Sequence, residues 1–215
     1  MSKVTIIGAG NMGRGIGTRL VSGGHEVQIL ARTAEEATAV AEELGRDGSS
    51  VIGGGIDGEI TGDIVVLAAP YEGALDFVQK HGDQLVGKVV VDITNPVDWA
   101  TFDRLVTPAD SSAAQEIAAR LPAGVAVVKA FNTTFAQTLV AGGVAGHDLD
   151  VLIAGDDTGA KAAVAALVES GGMRPIDAGP LRRAQQLEHL GFLHMALQDE
   201  LGTGYGSAVK FVGPT

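Results

Sequence analysis

Cysteine is absent from the 215 residues of this sequence, which excludes disulfides, thiol catalysis and thiolate metal sites. Basic residues are scarce, because 15 lysines and arginines stand against 26 aspartates and glutamates and give a formal net charge of -11. Nucleic acids and anionic membranes attract basic surfaces, so this charge argues against both as general partners. It still allows a local basic pocket.

Long apolar runs and targeting segments are also missing. No uninterrupted apolar stretch approaches the roughly 18 residues of a membrane span. The opening "MSKVTIIGAG" enters a strand pattern at once, without the charged leader and apolar core of a signal peptide. We therefore expect a cytoplasmic protein that neither binds nucleic acid nor spans a membrane.

Short apolar segments alternate with helical segments along most of the chain. Continuously apolar segments rich in β-branched residues are typical of parallel strands that are buried on both faces. Such segments lie at 3–8, 26–31, 63–69, 88–93, 125–131 and 150–155, with weaker candidates near 50–53 and 173–177. Ala- and Leu-rich segments of helical length lie between them, at 34–44, 111–121 and 158–170. The alternation predicts an α/β fold with a doubly wound, Rossmann-type parallel sheet.

The pattern divides the chain into a dinucleotide-binding Rossmann domain, 1–155, and a small C-terminal extension, 156–215. The extension is predicted to end in a long helix with an apolar stripe from Leu187 to Leu201. Core packing explains such a stripe, and a contact between two copies in a homodimer is the second interpretation. We expect the extension to complete the site for a small-molecule acceptor.

The first chemical signal is "GAGNMG", which directly follows the first predicted strand. Gly8 allows a tight turn, Gly10 lets the backbone approach a pyrophosphate, and Gly13 allows close packing of helix and strand. The helix that begins near Asn11 directs its N-terminal N–H groups at the phosphates. A G-x-G-x-x-G pattern in this strand–turn–helix context predicts dinucleotide binding.

The second strand ends on "ILART", with Arg32 between Ala31 and Thr33. An acidic residue at this position would accept hydrogen bonds from the adenosine ribose and repel a 2′-phosphate. A guanidinium can instead pair with the 2′-phosphate and stack on adenine, while Thr33 can cap the next helix. The pattern therefore predicts selectivity for NADP(H). An ordinary solvated cation is the alternative interpretation of Arg32.

Further polar residues follow other strands, at the edge where α/β folds bind ligands. They lie in "AAPYE" (68–72), at Asn95–Pro96 and in "KAFNTT" (129–134), and they would line the nicotinamide half of the cleft. Lys129 is either a catalytic cation or a solvated lysine that closes a strand. The sequence contains no recognisable catalytic pair, so the catalytic residues stay unassigned.

No metal site is predicted. His189 and His194 are separated by about 140° around a helix and cannot share a metal ion, so we interpret both as packing or surface residues. Asp156 and Asp157 are interpreted as a turn that caps the next helix rather than as metal ligands.

The chain resembles the coenzyme F420-dependent NADP oxidoreductases along nearly its whole length. The resemblance rests on "GAGNMGRG", "GHEVQILART", "DIVVLAAPYEGALDF", "VVVDITNP", "VVKAFNT" and the C-terminal "RPIDAGPLRRAQQLEHL" with "GYGSAVKFVG". Members of this family transfer a hydride directly between NADP(H) and a deazaflavin. The resemblance implies that Ala9 to Met12 hold the pyrophosphate and Arg32 the 2′-phosphate, and that Tyr71, Leu75 and Val97 lie on the nicotinamide side. The full set of predicted cofactor-binding residues is Gly8, Ala9, Gly10, Asn11, Met12, Gly13, Ala31, Arg32, Thr33, Ala68, Ala69, Pro70, Tyr71, Leu75, Asn95, Pro96, Val97, Ala130 and Asn132.

The stretch "KAFNTTF" departs from the archaeal members of that family, which carry a His and a Pro at the positions of Asn132 and Phe135. The acceptor therefore stays open, with coenzyme F420 as the first candidate and a flavin as the second. Reduction of a small imine or carbonyl compound is an alternative, although such enzymes usually add a large helical domain. A non-catalytic NADPH sensor is the third hypothesis.

Overall fold

The computed structural model describes residues 1–213 and contains one central sheet of eight strands in the order β10-β9-β6-β5-β4-β1-β2-β3. The strands, including a separate two-stranded hairpin of β7 and β8, are β1 Lys3–Ile7, β2 Glu26–Ala31, β3 Val51–Gly55, β4 Ile64–Leu67, β5 Val89–Asp92, β6 Ala126–Lys129, β7 Gly143–Val144, β8 His147–Asp148, β9 Asp150–Gly155 and β10 Arg174–Gly179. The helices are α1 Asn11–Ser22, α2 Ala34–Leu44, α3 Tyr71–His81, α4 Ala113–Ala118, α5 Ala136–Ala141, α6 Thr158–Ser170, α7 Ala184–Ala196 and α8 Gln198–Leu201.

The predicted Rossmann-type fold is confirmed, and both weak strand candidates are present as β3 and β10. One pairing differs from the all-parallel expectation, because β6 and β9 are antiparallel. The chain leaves β6 through α5 and the β7–β8 hairpin, and β9 then starts from the edge of the sheet at which β6 ended.

The core lies on both faces of the sheet, as the continuously apolar strands predicted. In β1, Ile6 packs into a cluster with α1, α5 and α6, whereas Ile7 packs into a second cluster with α3 and α4. Both side chains are at most 1 % exposed. Because successive strand residues point to opposite faces, an uninterrupted apolar run supplies both clusters at once. The carboxyl ends of the parallel strands are left along one edge.

The C-terminal part adds to this sheet before it leaves it. The predicted boundary at 155/156 falls between β9 and α6, and β10 then pairs with β9 in the same sheet. The predicted long helix is interrupted at Leu197, where α7 gives way to α8. Leu187 is buried, whereas Leu197 and Leu201 are exposed. Within residues 1–213, none of the helices has the length and hydropathy that a membrane span requires.

Candidate functional site

The glycine loop between β1 and α1 has the geometry that its sequence predicts. Gly8 has a φ of +119°, and a Cβ there would lie 2.3 Å from the Ala68 carbonyl oxygen. A Cβ on Gly13 would lie 2.2 Å from the Gly8 carbonyl oxygen, so the first and third glycines are required for packing. At Gly10 a Cβ would meet nothing within 4 Å. The middle glycine therefore leaves open space above the start of α1, where a ligand can approach the backbone.

A cavity of about 840 Å³ opens beside this loop, at the carboxyl ends of β1, β2 and β4. Its size lies within the range of about 300–1,000 Å³ that is typical of small-molecule sites. Eight of the predicted cofactor residues line it: Gly8, Ala9, Gly10, Ala31, Arg32, Ala68, Ala69 and Pro70. The segments that follow β1, β2 and β4 therefore surround one cavity.

Arg32 lies at the mouth of this cavity directly after β2, and its side chain is exposed. Among the ion pairs of residues 1–213, none involves Arg32. Thr33 caps α2, because its Oγ1 accepts a hydrogen bond of 3.3 Å from the Glu36 backbone N–H. The predicted cap is confirmed, and it holds the chain so that the preceding guanidinium stays next to the cavity.

The opposite wall of the cavity was not predicted. It is formed by α3 and by the segment after β3, with Phe77 as its largest apolar side chain. Lys80 Nζ donates to Asp57 Oδ1 over 2.6 Å, and this hydrogen bond lowers the pKa of the Asp57 carboxyl. The parallel register of β2 and β3, which sets Ala31 opposite Gly55, is what brings the loop after β3 to the cavity.

The carboxyl ends of β5 and β6 have a different character, because a buried ion cluster lies there. Lys129 Nζ donates to Asp92 Oδ2 over 2.7 Å, to Glu188 Oε1 over 2.8 Å and to the Thr94 carbonyl oxygen. All three charged side chains are 0–1 % exposed. Both sequence-based interpretations of Lys129 are therefore wrong, since the lysine is neither solvated nor accessible to a substrate.

Glu188 joins three elements within this cluster. Its carboxylate accepts from Lys129 at the end of β6 and from the Ala113 N–H, 3.0 Å away, at the start of α4. Burial raises the pKa of the Glu188 carboxyl, and the Lys129 ammonium opposes that rise. The sequence analysis missed this residue. Its helical spacing from Ala184 and Gly191, both buried on the same face of α7, was the available signal.

Two asparagines next to the cluster, Asn95 and Asn132, form hydrogen bonds to each other and contact α7. Asn95 Nδ2 donates to the Asn132 carbonyl oxygen over 2.7 Å, and Asn132 Nδ2 donates to Asn95 Oδ1 over 2.9 Å and to the Leu187 carbonyl oxygen over 2.8 Å. Gly191 lets the helix approach, because a Cβ there would lie 2.7 Å from Asn95 Oδ1. The pair therefore ties the ends of β5 and β6 to α7.

Sequence comparisons identify the family. A family model described as coenzyme F420-dependent NADP oxidoreductase matches residues 3–96. The F420-dependent NADP reductase of Methanothermobacter thermautotrophicus is 33 % identical over 199 residues, which cover 87 % of this chain and 85 % of the relative. The chain belongs to the F420-dependent NADP reductase family. It is thus an NADP-dependent oxidoreductase, as the resemblance of its motifs predicted.

The chain is also similar to two further proteins. A solved structure from Arthrobacter sp. FB24, which was proposed to be an F420-dependent NADP-reductase, superposes with a TM-score of 0.85 at 28 % identity, over 99 % of this chain and 100 % of that one. Metalloreductase STEAP3 of Rattus norvegicus is 30 % identical over 86 % of this chain, which spans only 36 % of that longer protein.

The remaining predicted cofactor residues of this F420-dependent NADP reductase family member lie outside the large cavity. Asn11, Met12 and Gly13 form the first turn of α1, and Tyr71 and Leu75 lie half-buried in the first turns of α3. Burial raises the pKa of the Tyr71 phenol.

On the β5–β6 side the predicted residues are covered. Val97 is 4 % exposed and pairs with Leu105 in an antiparallel bridge. Ala130 is fully buried, and Pro96 is buried as well. The structure therefore places eight of the predicted residues around the cavity and buries Pro96, Val97, Ala130 and Asn132 on the β5–β6 side.

The histidines have the structural roles that were expected. His189 is exposed, and its Nδ1 lies 2.8 Å from the Gln185 carbonyl oxygen. His194 is buried, with a ring centroid 4.2 Å from that of Phe135, and burial lowers its pKa. Asp157 caps α6 by accepting from the Ala160 N–H over 2.7 Å. No group of metal-ligating side chains occurs in the part of the chain that the structure describes.

Proposed function

We propose that the protein transfers a hydride between NADP(H) and a planar deazaflavin or flavin-like acceptor, with coenzyme F420 as the leading candidate. The open cavity at the ends of β1, β2 and β4, with an exposed arginine at its mouth, carries this proposal. The family assignment supports it, since relatives across most of the chain length are F420-dependent NADP reductases.

In this proposal, Arg32 selects the phosphorylated cofactor. Its guanidinium pairs with the 2′-phosphate and stacks on the adenine ring. Because Arg32 has no competing acidic partner among residues 1–213, binding requires no ion pair to be broken. Phe77 and Pro70 supply apolar wall on the far side of the cavity.

The glycine loop would hold the pyrophosphate. Space is open above Gly10, and the first N–H groups of α1, from Asn11 onward, favour negative charge there. The nicotinamide half would extend from the loop toward Tyr71 and Leu75 at the start of α3 and toward Asn95. When bound, the cofactor supplies the hydride, and the protein supplies binding, orientation and exclusion of water.

This division of labour fits a site without an acid–base pair. Direct transfer between two cofactor rings depends mainly on holding the reacting atoms about 3–3.5 Å apart. The buried residues at the ends of β5 and β6, which fix the backbone from Thr94 to Asn95, would act as a rigid floor. We assign no catalytic proton donor, and Lys129 is unsuitable because it is fully buried.

Titration with NADPH and NADH tests the cofactor assignment. Loss of a charge-assisted bond to phosphate costs about 1.5–3 kcal/mol, or roughly ten- to a hundredfold in affinity. We expect NADPH to bind much more tightly than NADH, and Arg32→Ala to remove most of the difference, because NADPH loses the phosphate contact and the stacking on adenine whereas NADH loses only the stacking. Equal affinities of the unmutated protein for both nucleotides would refute the assignment.

An acceptor panel tests the second substrate. Purified protein is mixed with NADPH and, separately, coenzyme F420, FMN, FAD and ferric chelates, and oxidation of NADPH is followed by absorbance. We expect turnover of the deazaflavin. If no ring acceptor reacts but a small imine or ketone does, the imine or carbonyl reductase replaces this proposal. Tight NADPH binding with no turnover of any acceptor favours the sensor.

A homodimer and a cytoplasmic location complete the proposal. Leu193, Leu197, Leu201 and Phe211 each expose 41–55 % of their surface along the C-terminal part, which is an apolar area that a second copy could cover. Sedimentation at micromolar concentration should then give a species of twice the 21.9 kDa chain mass. A single 21.9 kDa species would exclude the dimer.

A further inference from the structure

The wall of the large cavity that is formed by α3 and the segment after β3 carries an ion pair to which the proposed function gives no role. Lys80 Nζ donates to Asp57 Oδ1 over 2.6 Å, and both residues line the cavity. Asp57 lies in the loop after β3, and Lys80 lies in the last turn of α3. Two separate elements thus bring an acceptor and a donor to the same part of the cavity.

The ion pair lies close to the arginine that we assign to the 2′-phosphate. In the parallel pairing of β2 and β3, Ala31 stands opposite Gly55, and neighbouring strands are about 4.8 Å apart. Arg32 directly follows β2, and Asp57 is the second residue after β3. The base of NADP(H) is bonded to the ribose carbon next to the one that carries the 2′-phosphate. A phosphate at Arg32 therefore brings the adenine toward Asp57.

The surroundings of the ion pair suit a flat ring. Phe77 and His81 stack on each other, with ring centroids 4.7 Å apart and planes at 27°. Both side chains are buried and line the cavity, together with Val40 and Ile56. A base can lie against this apolar surface and keep its polar edge directed at the ion pair.

Asp57 keeps one carboxylate oxygen free. Oδ1 accepts from Lys80, and His81 Nε2 lies 3.4 Å from the same oxygen. Within residues 1–213, Oδ2 has no hydrogen-bond partner. The hydrogen bond from Lys80 lowers the pKa of the Asp57 carboxyl, so the group is ionised at neutral pH and can only accept.

The free oxygen and the ammonium together match the polar edge of adenine. The 6-amino group of adenine is a donor, and the ring nitrogen N1 beside it is an acceptor. Asp57 Oδ2 supplies the acceptor, and Lys80 supplies the donor, because an ammonium has three N–H groups and Lys80 makes a single hydrogen bond within residues 1–213. Hypoxanthine carries a carbonyl oxygen at position 6 and an N–H at N1, so both of its groups would face the wrong partner.

We propose that the Asp57–Lys80 pair recognises the adenine base of the cofactor, with Asp57 accepting from the 6-amino group and Lys80 donating to N1. The inference rests on the proposed function, since it assumes that the large cavity holds the adenosine half of NADP(H). It makes the pair a determinant of base specificity that is separate from Arg32, which selects the 2′-phosphate. The pair disfavours dinucleotides that carry a 6-oxopurine.

The test compares the Kd of NADPH with that of reduced nicotinamide hypoxanthine dinucleotide phosphate (deamino-NADPH), which differs from NADPH only in the base. We expect the unmutated protein to bind NADPH about tenfold more tightly, because a matched pair of hydrogen bonds discriminates between bases by at least that factor. Asp57→Asn should bring the ratio of the two Kd values close to one, because a carboxamide can turn its N–H group toward the carbonyl oxygen of hypoxanthine. Lys80→Met should weaken NADPH and NADH by the same factor.

Asp76→Asn is the matched control. Asp76 also lines the cavity from α3, is exposed, and forms no ion pair within residues 1–213. This variant removes the same charge as Asp57→Asn, and NADPH and deamino-NADPH carry the same phosphates. The ratio of their Kd values should therefore stay as in the unmutated protein.

Three results would contradict the inference. Equal affinities of the unmutated protein for NADPH and deamino-NADPH, with NADPH still bound more tightly than NADH, would overturn it and leave the cofactor assignment intact. A loss in Lys80→Met that is confined to NADPH would overturn the contact with N1, since it would place Lys80 on the 2′-phosphate. Absence of NADPH binding by the unmutated protein would overturn both the inference and the cofactor assignment.

Discussion

The two halves of the edge formed by the carboxyl ends of the parallel strands differ in the exposure of their charged groups. Around β1, β2 and β4 the edge is open, and its charged groups, Arg32 and the Lys80–Asp57 pair, are exposed. At β5 and β6 the charges of Lys129 and Glu188 are buried between the strand ends and α7, the helix that carries Glu188. Exposed charges can be exchanged at little cost to folding, whereas a buried cluster cannot. Substitutions of charged residues in the open half should therefore cost little stability, whereas those in the covered half at β5 and β6 are coupled to the stability of the fold.

The largest expected effect comes from removing the buried cation. Lys129→Met keeps the apolar stem but leaves Asp92 and Glu188 as unpaired carboxyls in the interior, which costs about 3–5 kcal/mol. Urea unfolding should show this loss. Lys80→Met is the control on the open side, because Lys80 and Asp57 have side chains that are 64 % and 65 % exposed, and it should cost less than about 1 kcal/mol. Similar losses in both variants would remove the contrast between the two halves.

The open half could be predicted from sequence because its determinants are local. The glycine loop, Arg32 and the Thr33 cap each depend on a few neighbouring residues, and α2 has the predicted bounds 34–44. The backbone geometry at Gly8 follows from the same short motif.

The covered half could not be predicted because its contacts join distant segments. Lys129 and Glu188 are 59 positions apart, and Asn132 and Leu187 are 55 positions apart. A lysine at the end of a strand is compatible with solvent, with catalysis or with a buried ion pair, and only the packing of α7 decides among them. The antiparallel pairing of β9 with β6 likewise does not follow from the apolar pattern of the strand.

Gly191→Ala tests how closely α7 must approach the covered half. Its Cβ would lie 2.7 Å from Asn95 Oδ1 and 2.8 Å from the Asn132 carbonyl oxygen, so the helix must shift at a cost of about 1–3 kcal/mol. We expect lower thermal stability and a weaker affinity for NADPH, because the shift would displace Asn95, toward which the proposed nicotinamide half extends. Gly73→Ala in α3 is the stability control, because its Cβ would make only ordinary contacts at 3.7 Å or more. A fully stable Gly191→Ala variant would contradict the close approach.

Acid should loosen the C-terminal segment before the open half. Burial of Asp150 at the start of β9 favours its neutral form, but hydrogen bonds from Arg174, Lys210 and the Phe211 N–H lower its pKa to about 2. A folded-state pKa below the ordinary value of 3.8 stabilises the protein above pH 4, by about 2 kcal/mol. This contribution is lost as the pH falls from about 4 to about 2.

Unfolding of the unmutated protein and of Asp150→Asn between pH 7 and pH 2 measures that contribution. The stability difference between the two should be largest near neutral pH and should shrink below pH 4, as the carboxylate of the unmutated protein takes up its proton. A difference that stays constant across this range would show that Asp150 acts through packing rather than through its charge.

The smallest effect on folding, with a selective effect on binding, is expected at Gly10. Its φ of -75° and ψ of -174° suit any residue, and an added Cβ would meet nothing within 4 Å, so Gly10→Ala should change stability by less than about 0.5 kcal/mol. The methyl group would occupy the space through which the pyrophosphate reaches the backbone. We expect NADPH and NADH to lose affinity by the same factor, about tenfold, which corresponds to about 1.4 kcal/mol.

Gly13→Ala should instead destabilise the fold, since its Cβ would lie 2.2 Å from the Gly8 carbonyl oxygen. An unchanged affinity for both nucleotides in Gly10→Ala would place the pyrophosphate elsewhere, whereas a loss confined to NADPH would mean that the loop contacts the 2′-phosphate, the group that we assign to Arg32.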